Sequence, residues 1–208
     1  GRVGPNGQVV GLDSDAGMLA VARELAPAID WRQGMAESLP FPDASFEAVV
    51  SQFGLMFFGD RVQALREMLR VLAPRRRLVV AVFDTLANNP AYAAEVALLA
   101  RLAGRPAADA LSAPFALGDP DALRALFADA GATRAELSTH RGKARFPSLG
   151  VMLEADLRGW LPMVGVALGE DTIGRVLAAA DDALAGCVSR VPNGIEFDLS
   201  AHIVSASH

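Results

Sequence analysis

Gln8-Val9-Val10-Gly11-Leu12-Asp13-Ser14-Asp15-Ala16-Gly17-Met18-Leu19 begins as a short apolar run, arrives at a carboxylate and turns into a helix. An apolar run of this length reads as a parallel strand buried on both faces, and Gly4-Pro5-Asn6-Gly7 ahead of it signals a turn. Asp15 predicts an N-cap for a helix over Ala16 to Ala26, with Met18, Leu19, Ala22 and Leu25 on one face and Pro27 ending it. The same order then recurs. Ile29 to Gln33 and Phe46 to Gln52 read as strands, Asp60 caps a helix over Arg61 to Leu72, and Pro74 stops that helix before the apolar strand Leu78 to Phe83. Val62, Leu65, Leu69 and Leu72 form the buried side of the second helix. Strands alternating with helices imply an α/β fold whose mostly parallel sheet is covered by helices through right-handed crossovers.

Past Leu86 the rhythm changes. The segment 86–117 reads as one alanine-rich helix around Tyr92, Val96 and Leu99, followed by a loop holding Pro106, Pro114 and Phe115, and a second helical stretch covers 148–186. Both are expected to cover a site. Between them, Asp119 and Pro120 open a helix that Gly131 closes, and Thr133 to His140 alternates like a strand. Ile195, Phe197, Leu199, Ala201 and Ile203 share one face of a final strand, expected to be antiparallel and near the sheet edge. With no internal repeat or linker, the 208 residues are expected to form a single domain.

Composition narrows the function. A net charge of -5 argues against nucleic acid as a partner, and the basic run Arg75-Arg76-Arg77 reads as a solvated turn. Cys187 is the single cysteine, so no intrachain disulfide is possible, and a cytoplasmic location follows as the expectation. Neither a signal-peptide core at Gly1 to Gly7 nor an apolar run long enough for a membrane span is present.

A second stretch carries a resemblance. Gln33-Gly34-Met35-Ala36-Glu37-Ser38-Leu39-Pro40-Phe41-Pro42-Asp43-Ala44-Ser45-Phe46-Glu47-Ala48-Val49-Val50, one βα unit after Asp13, resembles the pattern G-D-A-x-x-L-P-F-P-D-x-S-F-D-x-V of class I S-adenosylmethionine-dependent methyltransferases, in the small-molecule branch that includes quinone-biosynthesis C-methyltransferases. Asp13 to Leu19 likewise resembles that family's D-x-x-x-x-M-L. The resemblance spans Gln8 to Phe83 and implies a Rossmann-like, doubly wound sheet with an antiparallel last strand, S-adenosylmethionine as cofactor and a small-molecule acceptor, and it allows a homodimer. It also implies site residues. Asp13 would grip the ribose hydroxyls, Ser14 and Met18 would flank the adenine, Met35 would pack on the purine beside the Ala36 N–H, and Gln52 and Phe53 would face the methionine arm. For Asp13 the residues themselves leave a helix-capping role open, and for Met18 a place in the core.

The departures from the pattern are specific. No G-x-G occurs, so the family's glycine-rich loop is expected upstream of Gly1, and the strand that carries it would fill a gap between its neighbours. Met35 replaces the usual aspartate, and a thioether is a weak acceptor for an adenine amine. Arg75-Arg76-Arg77 replaces a P-G-G turn whose glycine supplies positive φ. These differences keep a second hypothesis open, a non-catalytic methyltransferase-like scaffold. A nicotinamide-dependent oxidoreductase is disfavoured by the stretch from Met35 to Val50. Glu37 reads as an exposed turn residue, and His202 as structural. No metal set is expected from the scattered His140, His202 and His208, and no nucleophile elbow occurs. His140, ending a predicted strand, is the candidate general base.

Overall fold

The computed structural model describes residues 3–4 and 6–208. Gly1, Arg2 and Pro5 lie outside the described residues, Pro5 being one of the four in the predicted turn Gly4 to Gly7, where the Gly7 N–H donates to the Gly4 carbonyl. The fold is Rossmann-like α/β with a mixed sheet. Strand β1 (Val10–Asp13) leads through helix α1 (Ala16–Leu25) to β2 (Asp30–Gln33), then β3 (Phe46–Gln52), α2 (Arg61–Val71) and β4 (Leu72–Phe83). Asp15 accepts from the Met18 N–H at 2.7 Å and Asp60 from the Gln63 N–H at 2.9 Å, which fixes the start of both helices.

The sheet is in two parts. Parallel β1 and β2 form one, and the order β3-β4-β7-β5 forms the other, where β5 is Arg134–Phe146 and β7 is Gly194–Ser207. Among the described residues β1 and β3 each pair on one edge only, and Val50 of β3 is 69% exposed. The α1 face is correspondingly open. Of the four apolar residues expected to be buried there only Leu19 is, while Met18 and Leu25 are exposed, because α1 packs on just two strands. On α2, Leu65 and Leu69 are buried as the period predicts, joined by Ala64 and Met68.

Strand β4 starts earlier than its apolar run. Residues 72–77 run alongside β3 with a register shift, and Arg75 sits at φ 61°. Arginine thus occupies the left-handed conformation that glycine adopts freely.

After β4 come α3 (Pro90–Leu102) and α4 (Arg105–Ser112). This corrects the single helix and loop expected in 86–117: Pro106 lies in the first turn of α4, where its missing N–H has no intrahelical partner to lose. Helix α5 (Pro120–Asp129) follows, capped by Asp119, with Gly131 at φ +90° beyond its end. Strand β5 is longer than predicted. Beyond it lie α6 (Leu149–Glu154), a π-helical turn at Ala155–Trp160, α7 (Leu161–Met163), α8 (Glu170–Leu184) and a short strand β6 (Val188–Val191) that pairs with β7.

Two apolar cores result. One joins α2 and α5 to the sheet through Leu65, Leu78, Val80, Phe127 and Val204. The other joins α3, α4, α6 and α8 through Leu98, Leu111, Met152, Val176 and Phe197. Strand β7 serves both. The Phe83 end of β4 pairs with Ala201, so β5 and β7 continue past it as an antiparallel arm that floors the second core. Burial on β7 therefore changes face: Ile195 and Phe197 are buried on the arm, but Ser200, His202, Val204 and Ala206 are buried in the sheet. The single face predicted from Ile195 to Ile203 holds only for the arm. As expected, β7 is antiparallel and near the sheet edge, one strand in from β5.

Candidate active site

Open α/β sheets bind ligands at the C-terminal ends of their strands. Here those ends carry Asp13 on β1, Gln52 on β3 and Phe83 on β4. Asp13 Oδ1 accepts from the Asp15 N–H at 2.9 Å, and its Oδ2 has no hydrogen bond to another described residue. Ser14 is exposed and gives its carbonyl to Gln33 Nε2. Met18 and Met35 are both more than half exposed, whereas Ala36 is buried. Gln52 is exposed. Phe53 follows it at φ 53°, its ring stacked on Phe83 at 4.4 Å. A phenylalanine at that φ is strained, and the stack on Phe83 holds it there.

The loop after β2 ties these ends together. Glu37 is not the exposed turn residue expected: its Oε1 accepts from Gly59 N at 3.0 Å and from Asp60 N at 3.4 Å, at the positive N-terminus of α2. Glu67 accepts from the Leu39 N–H at 2.8 Å, and Arg70 donates to the Leu39 and Phe41 carbonyls, Asp43 and Glu67. Those bonds lower the Glu67 carboxyl below its ordinary range, the Arg70 hydrogen bond foremost. The Leu-Pro-Phe-Pro-Asp motif is thus a loop clamped by one arginine, and it carries Met35 and Ala36 at its start.

Asp84, one residue past β4, is buried. Its carboxylate accepts from Ser200 Oγ at 2.7 Å, Thr85 N and Asn88 Nδ2, and lies 3.2 Å from His202 Nε2. Burial raises its pKa, but the Asn88, Ser200 and Thr85 donors outweigh that and hold it below the usual carboxylate value. Asn89 completes the knot, donating to the Asp84 and Thr85 carbonyls and accepting from Ser200 N at 2.8 Å. Gly118 packs so closely that a Cβ there would lie 2.1 Å from Thr85 N, and its carbonyl meets His202 Nε2 at 2.9 Å. His202 is structural in this sense, buried inside the sheet.

His140 is placed differently. It pairs with Ala201, level with Phe83, but is exposed, with Nε2 2.9 Å from Ser138 Oγ. The structure brings it into no contact with Asp13, Gln52 or Phe53.

The cover closes over the β3 and β4 ends with aromatics. Phe57 meets Trp160 at 5.0 Å, and Phe115 bridges Phe83 at 5.2 Å and Tyr92 at 5.3 Å. Behind Tyr92 lie Glu95, fully buried, and Asp156. Sequence reasoning missed Asp84, Glu95 and Asp156. Asp84 could have been found, since it ends β4 as Asp13 ends β1; Glu95 interrupts an otherwise apolar helix face between Ala91 and Leu98.

Residues 2–80, under half of the chain, match the methyltransferase domain family. Particular relatives sharpen this. The ubiquinone/menaquinone biosynthesis C-methyltransferase of Hahella chejuensis is 47% identical over 92 residues, covering 41% of this chain and 37% of that protein. The 2-phytyl-1,4-naphtoquinone methyltransferase of Thermosynechococcus vestitus is 44% identical over 86 residues, 40% of this chain and 38% of that one. The match thus spans little more than a third of the curated relatives' length. In fold, the chain is similar to a putative methyltransferase from an antibiotic biosynthesis pathway of Anabaena variabilis, with TM-score 0.62, 15% identity and coverage of 96% of this chain and 81% of that one. The YcgJ protein of Bacillus subtilis gives TM-score 0.58 at 20% identity, covering 97% and 82%.

Proposed function

We propose that this protein transfers a methyl group from S-adenosylmethionine to a small, lipophilic, aromatic acceptor of quinone type. The observation that carries this is the pairing of Asp13, with a carboxylate oxygen uncommitted at the end of β1, with the clamped loop that presents Met35 and Ala36 beside it. The donor set fits the cofactor: a carboxylate can accept from both ribose hydroxyls, the exposed Met18 and Met35 offer apolar faces to a purine, and Gln52 and Phe53 stand on the methionine side. S-adenosylmethionine, when bound, supplies a sulfonium methyl that needs no further activation.

The chain's own task is then orientation. Holding two reactants in line can contribute about 7–11 kcal/mol without a catalytic triad. Phe53, Phe57, Phe83 and Phe115 exclude water from the approach and suit an apolar acceptor. The quinone methyltransferase relatives support this class of acceptor for the cofactor half, while the cover residues that would select it lie beyond the matched stretch. A cytoplasmic location, a homodimer and the absence of a nucleic-acid partner belong to the same proposal. No helix among the described residues is long and apolar enough to cross a membrane.

The test is label transfer. Incubated with S-adenosylmethionine labelled in its methyl group and a hexane-soluble metabolite extract, the protein should carry label into the organic phase, and Asp13→Ala should not. Equal transfer by both proteins would remove Asp13 from the site.

A further inference from the structure

Glu95 is fully buried on α3, and neither of its carboxylate oxygens has a hydrogen-bond partner among the described residues. A buried carboxyl left so costs several kcal/mol unless a donor reaches it. Asp84 and Asn89 fix the place of Glu95, because their knot anchors the start of α3 just past the end of β4. Two titratable groups face it: Tyr92, one turn earlier on α3, and half-buried Asp156 from the π-helical turn. Among the described residues no arginine, lysine or histidine pairs with it. Such π-helical turns concentrate at functional sites, and this one also carries Trp160, which reaches Phe57 beside the β3 end. Tyr92 in turn touches Phe115, which touches Phe83.

We propose that Tyr92, Glu95 and Asp156 are the polar end of the acceptor pocket, and that the Glu95 carboxylate takes the proton of a phenolic hydroxyl on the aromatic acceptor. This deepens the methyltransferase reading and rests on it. The line of aromatic contacts from Phe83 through Phe115 to Tyr92 suits a ring, and the unpartnered oxygens require a donor that a ring hydroxyl supplies. Burial first, and the Asp156 charge second, push Glu95 up to about 8, which makes it a stronger base than an ordinary carboxylate and a closer match to a phenol. The phenolic O–H bond breaks, the proton moves to Glu95 and the electron pair stays on the acceptor. That pair forms the bond to the methyl carbon as the carbon–sulfur pair returns to sulfur. If oxygen is methylated, the proton on Glu95 leaves past Asp156 to solvent. If a ring carbon is methylated, the attacking pair is instead a ring π pair raised by the phenolate, the ring proton then passes to solvent and Glu95 returns its own to the oxygen.

Calorimetric titration of the full chain with 1-naphthol and with 1-methoxynaphthalene, at a pH above the Glu95 midpoint of about 8, separates the possibilities. Naphthol should bind about tenfold or more tightly than its ether, as one charge-assisted hydrogen bond allows, and Glu95→Gln should abolish the preference. Tyr92→Phe, which leaves the buried carboxyl in place, should retain it at least in part. Equal binding of the two probes, binding of neither, or a preference unchanged in Glu95→Gln would overturn the assignment. So would tighter binding of 1-naphthylmethylammonium, which would mark an amine site. S-adenosylhomocysteine binding, measured in parallel, should be the same in Glu95→Gln and wild type. Its absence from both would instead count against the methyltransferase reading.

Discussion

His202 Nε2 lies 3.2 Å from Asp84 Oδ1, joining the middle of the last strand to the first residue beyond β4. Both side chains are buried, and Thr139 Oγ1 meets His202 Nδ1 at 2.9 Å from the next strand. Asp84→Ala would leave the Ser200 hydroxyl, the Asn88 amide and the Thr85 N–H without their acceptor. The expected loss is about 1–3 kcal/mol of stability, read as a lower urea midpoint at unchanged slope. Since the folded Asp84 pKa is depressed, its contribution is present above the ordinary aspartate value of 3.8 and is lost as pH falls through the folded value. An Asp84→Ala midpoint equal to wild type at neutral pH would contradict this role.

Arg75 should be replaceable to advantage. At φ 61° a non-glycine side chain costs roughly 1–2 kcal/mol, partly offset by the freedom glycine gains in the unfolded chain. Arg75→Gly should therefore raise the melting temperature, while Arg76→Gly, which gives up the 2.7 Å pair with Glu47, should not. A fall in melting temperature for Arg75→Gly would show that the turn relaxes around arginine.

Arg70 holds the loop that carries Met35 and Ala36, and its planar fork serves the Leu39 and Phe41 carbonyls together with Glu67 and Asp43. Lysine keeps the charge but not the fork. Arg70→Lys should weaken S-adenosylhomocysteine binding and increase amide exchange over 36–43, with about 1–2 kcal/mol lost in stability. Unchanged exchange would mean that the prolines alone hold the loop.

Glu95 and Asp156 make the fold sensitive to alkali. Burial raises Asp156 from 3.8 to about 6, and burial with the Asp156 charge raises Glu95 from 4.5 to about 8. For acids with raised folded values the stability is fully present below the unfolded values and falls as pH rises through the folded ones. Unfolding free energy should thus decline from about pH 4 to pH 8, at up to about 1.4 kcal/mol per unit for each group that titrates. Glu95→Gln should flatten the upper part of that decline. A profile flat from pH 5 to pH 8 in the wild type would contradict the burial of Glu95 as a free carboxyl.

The first half of the chain was legible because its signals are local. Asp15 and Asp60 cap the helices they were expected to cap, and Phe46 to Gln52 is the predicted strand to the residue. Asp119 and Gly131 bound α5 for the same reason. What was not legible depends on partners distant in sequence. Pro106 signals a break equally well as a loop residue or in a helix's first turn, and only packing against α3 decides. The face change on β7 arises where the strand leaves one core for another, which no period within the strand encodes. Arg70, Glu37 and Glu95 are ordinary helix or loop residues until their distant neighbours, or the lack of them, are seen.

The most direct measurement is calorimetric titration of this chain with S-adenosylhomocysteine, compared with Asp13→Ala. Saturable binding at one site per chain, weakened about a hundredfold or more when the carboxylate is removed, is the predicted result, since Asp13 would lose two charge-assisted hydrogen bonds. Binding of equal strength by wild type and Asp13→Ala, or no heat with either, would contradict a cofactor site at the end of β1.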